Sequence, residues 1–252
     1  MSYPNAQKAP IGGSIGNKLS KGTGSTLKKL AAVTIYAVAM GYLESAVVIY
    51  LRECAFGNSV QVFPIQFLEP QISGIEFVRE ASTIVMLLAV GYLAGRNRFQ
   101  QCMFFVYAFA IWDIFYYIFL KLFTGWPGTI MDYDVLFLIP VAWISPVICP
   151  VLISLLLTLT SAVLIFFGAK SENLTIAGVN LVIFLLGAAA EIYSFTEQIF
   201  RILLKHGTRG LENFRPASFD WPIFLIGFLL LCVSATFTIR DCYRRTKAET
   251  VE

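Results

Sequence analysis

An all-α fold, a bundle of about six membrane-spanning helices with a proline-broken fourth element, is predicted by three features of the 252-residue chain. Hydrophobic residues make up 57% of it and charged residues only 14%, whereas soluble domains carry roughly a quarter charged residues. Mean hydropathy is +0.71. Apolar runs of about 20 residues, the length a helix needs to cross a hydrocarbon core, recur along the chain.

Residues 1–27 are rich in Gly, Ser, Pro and Lys without apolar periodicity, and read as a flexible cytoplasmic tail. The apolar run behind Lys29 is too long for a signal peptide and no small-residue cleavage pattern follows it, so it stays as the first span. The transmembrane domain is predicted over 28–241 and a short cytoplasmic tail over 242–252. The spans run from about Leu30 to Leu51, Ile75 to Ala94, Cys102 to Phe123, Pro146 to Phe167, Leu174 to Leu203 and Pro222 to Ile239. The fifth exceeds what a span needs, so it should tilt or protrude.

Small residues at four-residue spacing, Ala37, Gly41 and Ser45 in the first span and Gly91 and Gly95 in the second, let helix backbones approach closely in lipid. Packing within the chain is favoured over dimerisation. In the fourth element Asp134 and Ser145 are helix N-cap residue types, and Pro146 suits a first helical position. Pro140 and Pro150 interrupt the apolar run, which predicts a re-entrant or interfacial piece over 135–144 before the helix proper. Asp220-Trp221-Pro222 repeats the cap-then-proline signal, and Trp126 and Trp221 suit the membrane–water boundary.

Lys8, Lys18, Lys21, Lys28, Lys29, Arg96, Arg98, Lys170, Arg240, Arg244, Arg245 and Lys247 fall on one side of this topology, twelve of the nineteen basic residues. The positive-inside rule makes that side the cytoplasm and puts both termini there. Arg201, Lys205, Arg209 and Arg215, near the loop 206–220, run against the rule. The loops on the cytoplasmic side are too short to hold a soluble domain; those outside, about 54–74, 124–145 and 204–221, are longer. The predicted location is the inner or plasma membrane of the cell.

The five cysteines form no CxxC pair and no metal-ligand spacing, and one histidine, His206, excludes a bis-histidine haem held by this chain alone. No metal and no cofactor is predicted. A net charge of +3, scattered in tails and loops, gives no nucleic-acid signal. The sequon Asn173-Leu174-Thr175 falls on the cytoplasmic side and reads as chance. The aromatics of the third span, Tyr107, Tyr116 and Tyr117 among them, read as core or lipid-facing residues.

The ionisable residues of the spans fall in the outer half: Glu44, Arg52, Glu76, Arg79, Glu80, Asp113, Lys121, Glu191, Glu197 and Arg201. A charge near the bilayer centre costs about 2.5–3.5 kcal/mol on insertion scales, so such residues face a bundle interior or a wet cavity. Asp113, Tyr117 and Lys121 share a helical stripe, as do Glu44 and Arg52, and Glu191, Ser194, Gln198 and Arg201 follow one face with Asn180 and Gly187. The prediction is one outward-facing polar pocket built from Glu44, Arg52, Arg79, Glu80, Asp113, Tyr117, Lys121, Glu191, Ser194, Gln198 and Arg201. The bland alternative, pairs that merely fix helix register, stays open. Six acids against four bases leave the set two negative charges in excess, which points to protonated carboxyls or a bound cation.

Glu44-Ser45-Ala46-Val47-Val48, Arg79-Glu80-Ala81-Ser82-Thr83, Trp112-Asp113-Ile114-Phe115-Tyr116-Tyr117 with Gly125-Trp126-Pro127, and Phe219-Asp220-Trp221-Pro222 resemble a family of uncharacterised prokaryotic multi-pass membrane proteins. The resemblance covers most of the spans but not the tail. It implies a bacterial or archaeal membrane and no chemistry. Three roles stay open: a small-solute or ion-coupled transporter, an intramembrane enzyme acting on a lipid-linked or periplasmic substrate, and a non-catalytic subunit or assembly factor. No catalytic motif is present, which weighs against an enzyme. The expected partner is the lipid bilayer, with a membrane-protein partner or a homo-oligomer left open and the ligand unknown.

Overall fold

The structure, a computed structural model, describes residues 12–64, 70–171, 174–211 and 214–249. Its six long helices are α1 (Gly12–Phe56), α2 (Pro70–Ala94), α3 (Arg98–Thr124), α4 (Ile148–Lys170), α5 (Gly178–His206) and α6 (Trp221–Glu249). Each is long and apolar enough to cross a membrane. The protein is an all-α six-span bundle, with a short hairpin of β1 (Tyr133–Phe137) and β2 (Trp143–Pro146) between α3 and α4. Helix α1 starts at Gly12 and takes in residues 12–27 of the expected tail, and α6 runs on through Cys242 to Glu249. Asn173 of the sequon lies outside the described residues.

Helix α3 is the hub. In its most apolar window 56% of residues are buried, against 22–33% in the other five, and it packs on α1, α2 and α4. The outer helices keep large apolar side chains such as Ile35, Leu93, Leu159 and Val179 exposed, as a bundle solvated by lipid should. Its ends are written locally. Asn97 accepts the Gln100 N–H at 2.9 Å while Gln100 Oε1 accepts the Arg96 N–H at 3.0 Å, which satisfies donors orphaned at a helix start. At the other end Gly125, at φ 74°, donates its N–H to Lys121 O, a left-handed cap that suits glycine.

The small-residue steps face α3. A Cβ on Gly41 would sit 2.9 Å from Trp112 O, and one on Gly91 2.7 Å from Phe105 N. Those glycines set how closely α1 and α2 approach the hub, a packing role inside the chain. Helices α5 and α6 form a second close pair, with Gly187 against the Gly227 carbonyl.

The fourth element departs from expectation. Asp134 and Ser145 are not helix caps; they face each other across an antiparallel ladder that also pairs Tyr133 with Pro146 and Val135 with Ile144. Residues 135–144 therefore form most of a hairpin, with a register shift between Val135 and Phe137. Val147 N and Ile148 N then donate to Asp132 O and Ile130 O, and α4 begins only at Ile148. The prolines permit this. Pro140 lies in the hairpin loop, Pro146 ends β2 and Pro150 occupies the first turn of α4, where no intrahelical N–H bond is lost. The cap at Asp220 is present as expected, accepting the Ile223 N–H at 3.3 Å.

Candidate functional site

Two cavities lie side by side near the hairpin end of the bundle. The first, about 190 Å³, is walled by α1, α2, α3 and the hairpin. Its polar lining comprises Glu44 and Arg52 from α1, Glu76, Arg79 and Glu80 from α2, Asp113, Tyr116 and Tyr117 from α3, and Asp134 from β1. Helical spacing puts Glu76, Arg79 and Glu80 on one face of α2, and Glu44 and Arg52 on one face of α1.

These groups form two networks. Arg79 bridges helices, donating to Glu44 at 2.5 Å and to Glu76 through Nε at 2.8 Å and Nη2 at 2.5 Å. Glu44 therefore finds its counter-charge on a neighbouring helix. Arg52 donates to Asp134 Oδ1 at 2.9 Å and lies over the Trp126 ring, 4.1 Å from its centroid, where the π face favours a cation. Tyr116 donates to Asp134 Oδ2 at 3.3 Å. Burial pushes Asp134 above the ordinary aspartate range, and Arg52 with the hydrogen bonds offsets only part of that rise. Glu80 is tied differently. Its oxygens accept the Leu138 N–H at 3.0 and 3.2 Å, a donor freed where the hairpin ladder ends.

Of the predicted pocket, Glu44, Arg52, Arg79, Glu80, Asp113 and Tyr117 do come together. The other five do not. Lys121 folds over the end of α3 and donates to Gly125 O at 2.9 Å and Pro127 O at 2.6 Å, carbonyls of the loop that follows the helix. Glu191 lines the second cavity, and Ser194 Oγ donates to Glu191 O within α5. Gln198 and Arg201 lie at a separate cleft, Gln198 bonded to Ser218 O and Arg201 paired with Glu197. The polar stripe of α5 thus faces other neighbours than the first cavity.

Glu76, Asp134, Tyr116 and Trp126 join the networks without belonging to the predicted pocket, Asp134 because its residue type and position suit a helix cap. The signal was there: two short runs either side of Pro140-Val141-Ala142 are a hairpin pattern, and it would carry Asp134 inward.

The second cavity, about 200 Å³, is predominantly apolar and is shared by α3, the hairpin, α4, α5 and α6. Asp113 lines both cavities and accepts the Ser154 hydroxyl at 2.8 Å. Neither carboxylate oxygen of Glu191 has a hydrogen-bond partner. No cluster of His, Cys, Asp and Glu suited to a metal ion occurs among the described residues. No family model, curated protein or solved structure matches the chain.

Proposed function

We propose that the protein is a prokaryotic cell-membrane protein with both termini in the cytoplasm, whose first cavity opens outward and binds a small amine-bearing solute. One observation carries the reading. Among the described residues five carboxyl groups, Glu44, Glu76, Glu80, Asp113 and Asp134, surround the cavity against two guanidiniums, Arg52 and Arg79, an excess of three negative charges when all are ionised. Holding that excess away from bulk water is unfavourable unless protons or a cation balance it. Arg52 Nη1 and Trp112 Nε1, both on residues of the lining, are buried donors without a partner, which suits a solute that also carries an acceptor oxygen. The outward orientation rests on the bias of basic residues toward the opposite ends of the helices.

Calorimetric titration of the purified protein with ethanolamine, against ethylene glycol as the neutral control, tests the binding. Saturable heat for the amine alone, reduced about tenfold or more in affinity by Glu80→Gln, is the expected result. Equal response to both compounds sinks the reading. Orientation is tested in intact cells, with single cysteines at Glu80 and Ser59 in a cysteine-free background and a membrane-impermeant thiol reagent. Labelling at both is expected; reaction at Ser59 alone would mean the cavity is sealed from outside.

A further inference from the structure

The second cavity holds a different kind of site. Glu191 is only 4% exposed, and both of its oxygens lack any hydrogen-bond partner. Among the described residues no Lys, Arg or His lines the cavity, and the only other carboxyl, Asp113, already accepts from Ser154. Leaving a buried carboxyl without donors costs several kcal/mol when ionised, and a neutral acid still forfeits its hydrogen bonds.

The fold nevertheless makes room for this group. A Cβ on Gly227 of α6 would come within 2.9 Å of Glu191 Oε1, so the carboxyl occupies space left by a missing side chain. Around it the walls are aromatic: Phe109, Phe137, Trp143, Phe184 and Phe195. Ring faces stabilise a cation and rings pack against hydrocarbon, so one compound can satisfy both features.

We propose that this cavity binds a lipophilic amine, its ammonium group paired with the Glu191 carboxylate and its apolar body packed along the aromatic wall. The site is separate from the acid-rich cavity and does not rest on the reading given for it. A polar solute gains little from these mostly apolar walls beyond the unpartnered Trp143 Nε1 donor, and without a positive charge it leaves Glu191 unpaired. A neutral apolar compound fills the space but leaves Glu191 unpaired. About 200 Å³ accommodates one aromatic ring with a short side chain.

The test uses the full-length protein in lipid nanodiscs, titrated with 2-phenylethylamine and with 2-phenylethanol, which has nearly the same shape and no charge. Saturable binding of the amine is expected, at least about tenfold tighter than the alcohol, with that preference lost in Glu191→Gln. Leu157→Trp, which adds bulk to the cavity wall and leaves the carboxyl in the sequence, should abolish amine binding as well. A melting temperature close to that of the parent shows that each variant is folded. The proposal is overturned if amine and alcohol bind alike, if Glu191→Gln or Leu157→Trp binds the amine as the parent does, or if no saturable binding is seen up to about 10 mM. Loss of amine binding in Glu80→Gln with retention in Glu191→Gln would also overturn it, since the amine would then occupy the first cavity.

Discussion

The two cavities are similar in volume and share a wall, yet they treat charge in opposite ways. In the first, both described arginines are ion-paired, Arg79 to Glu44 and Glu76 and Arg52 through Nη2 to Asp134. Each pair joins separate elements, α1 to α2 or α1 to the hairpin, or braces one turn of α2. In the second, Glu191 is buried with no donor at all. Buried ion pairs add little net stability over an apolar core, but breaking one is costly. Paired charges therefore become structural whatever else they do, while an unpaired one has no structural reason to persist.

That contrast can be broken most forcefully at Arg52. Arg52→Gln strands Asp134, which is 1% exposed, and the expected loss is about 3–5 kcal/mol, read as a lower melting temperature in detergent. The double variant with Asp134→Asn should recover most of it. On the other side, Glu191→Gln removes no hydrogen bond and replaces an unpaired buried carboxyl by a neutral isostere, so the melting temperature should not fall below that of the parent. A large destabilisation there would show that Glu191 has a structural role after all.

Gly227→Ala sharpens the comparison from the packing side. The new methyl meets Glu191 Oε1 at 2.9 Å and Ala190 Cβ at 3.0 Å, and overpacking of this kind costs about 1–3 kcal/mol. Combining it with Glu191→Ala should return part of the loss. Ser154→Ala comes next, at about 1 kcal/mol in the same melting assay, because it removes the hydroxyl that donates to Asp113 on the shared wall.

The smallest effect lies in the turn before β1. Burial alone would raise Asp132, but the Thr129 hydroxyl and the Thr129 and Gly128 N–H groups bond its carboxylate and hold it below the ordinary aspartate range. A depressed carboxyl contributes stability above its unfolded value and loses that contribution as pH falls through the folded one. The melting temperature of the parent should thus fall further on acidification than that of Asp132→Asn, and parallel curves would remove Asp132 from the account.

The six spans were legible because lipid imposes a length and a composition that few other settings require, and the charge-bearing level of the bundle was legible for the same reason. Direction around each helix axis was harder. Depth follows from residue number along a helix, whereas the neighbour that a face meets depends on how the helices are arranged, which no single helix encodes. Glu191, Gln198 and Arg201 illustrate this: grouped with Glu44 by position along the helices, they lie away from the Glu44 cavity, Glu191 sharing the second cavity with Asp113 and the other two lining a separate cleft. Lys121 was placed by its helical stripe, but the carbonyls freed by the chain reversal at Gly125 compete for its ammonium. The hairpin was missed because an apolar run punctuated by prolines reads equally well as the ragged start of a helix, and only the pairing of Asp134 with Ser145 separates the two.

The cavities also differ in when they come into being. All the described residues that line the first lie between Glu44 and Ala142, so a nascent chain carries that wall before α4 has been synthesised. The second needs residues from Phe109 through Leu231 and cannot close until the α5–α6 pair has arrived. Until then, the face of α3 bearing Asp113 has to be sheltered by lipid, by the insertion machinery or by Ser154 alone.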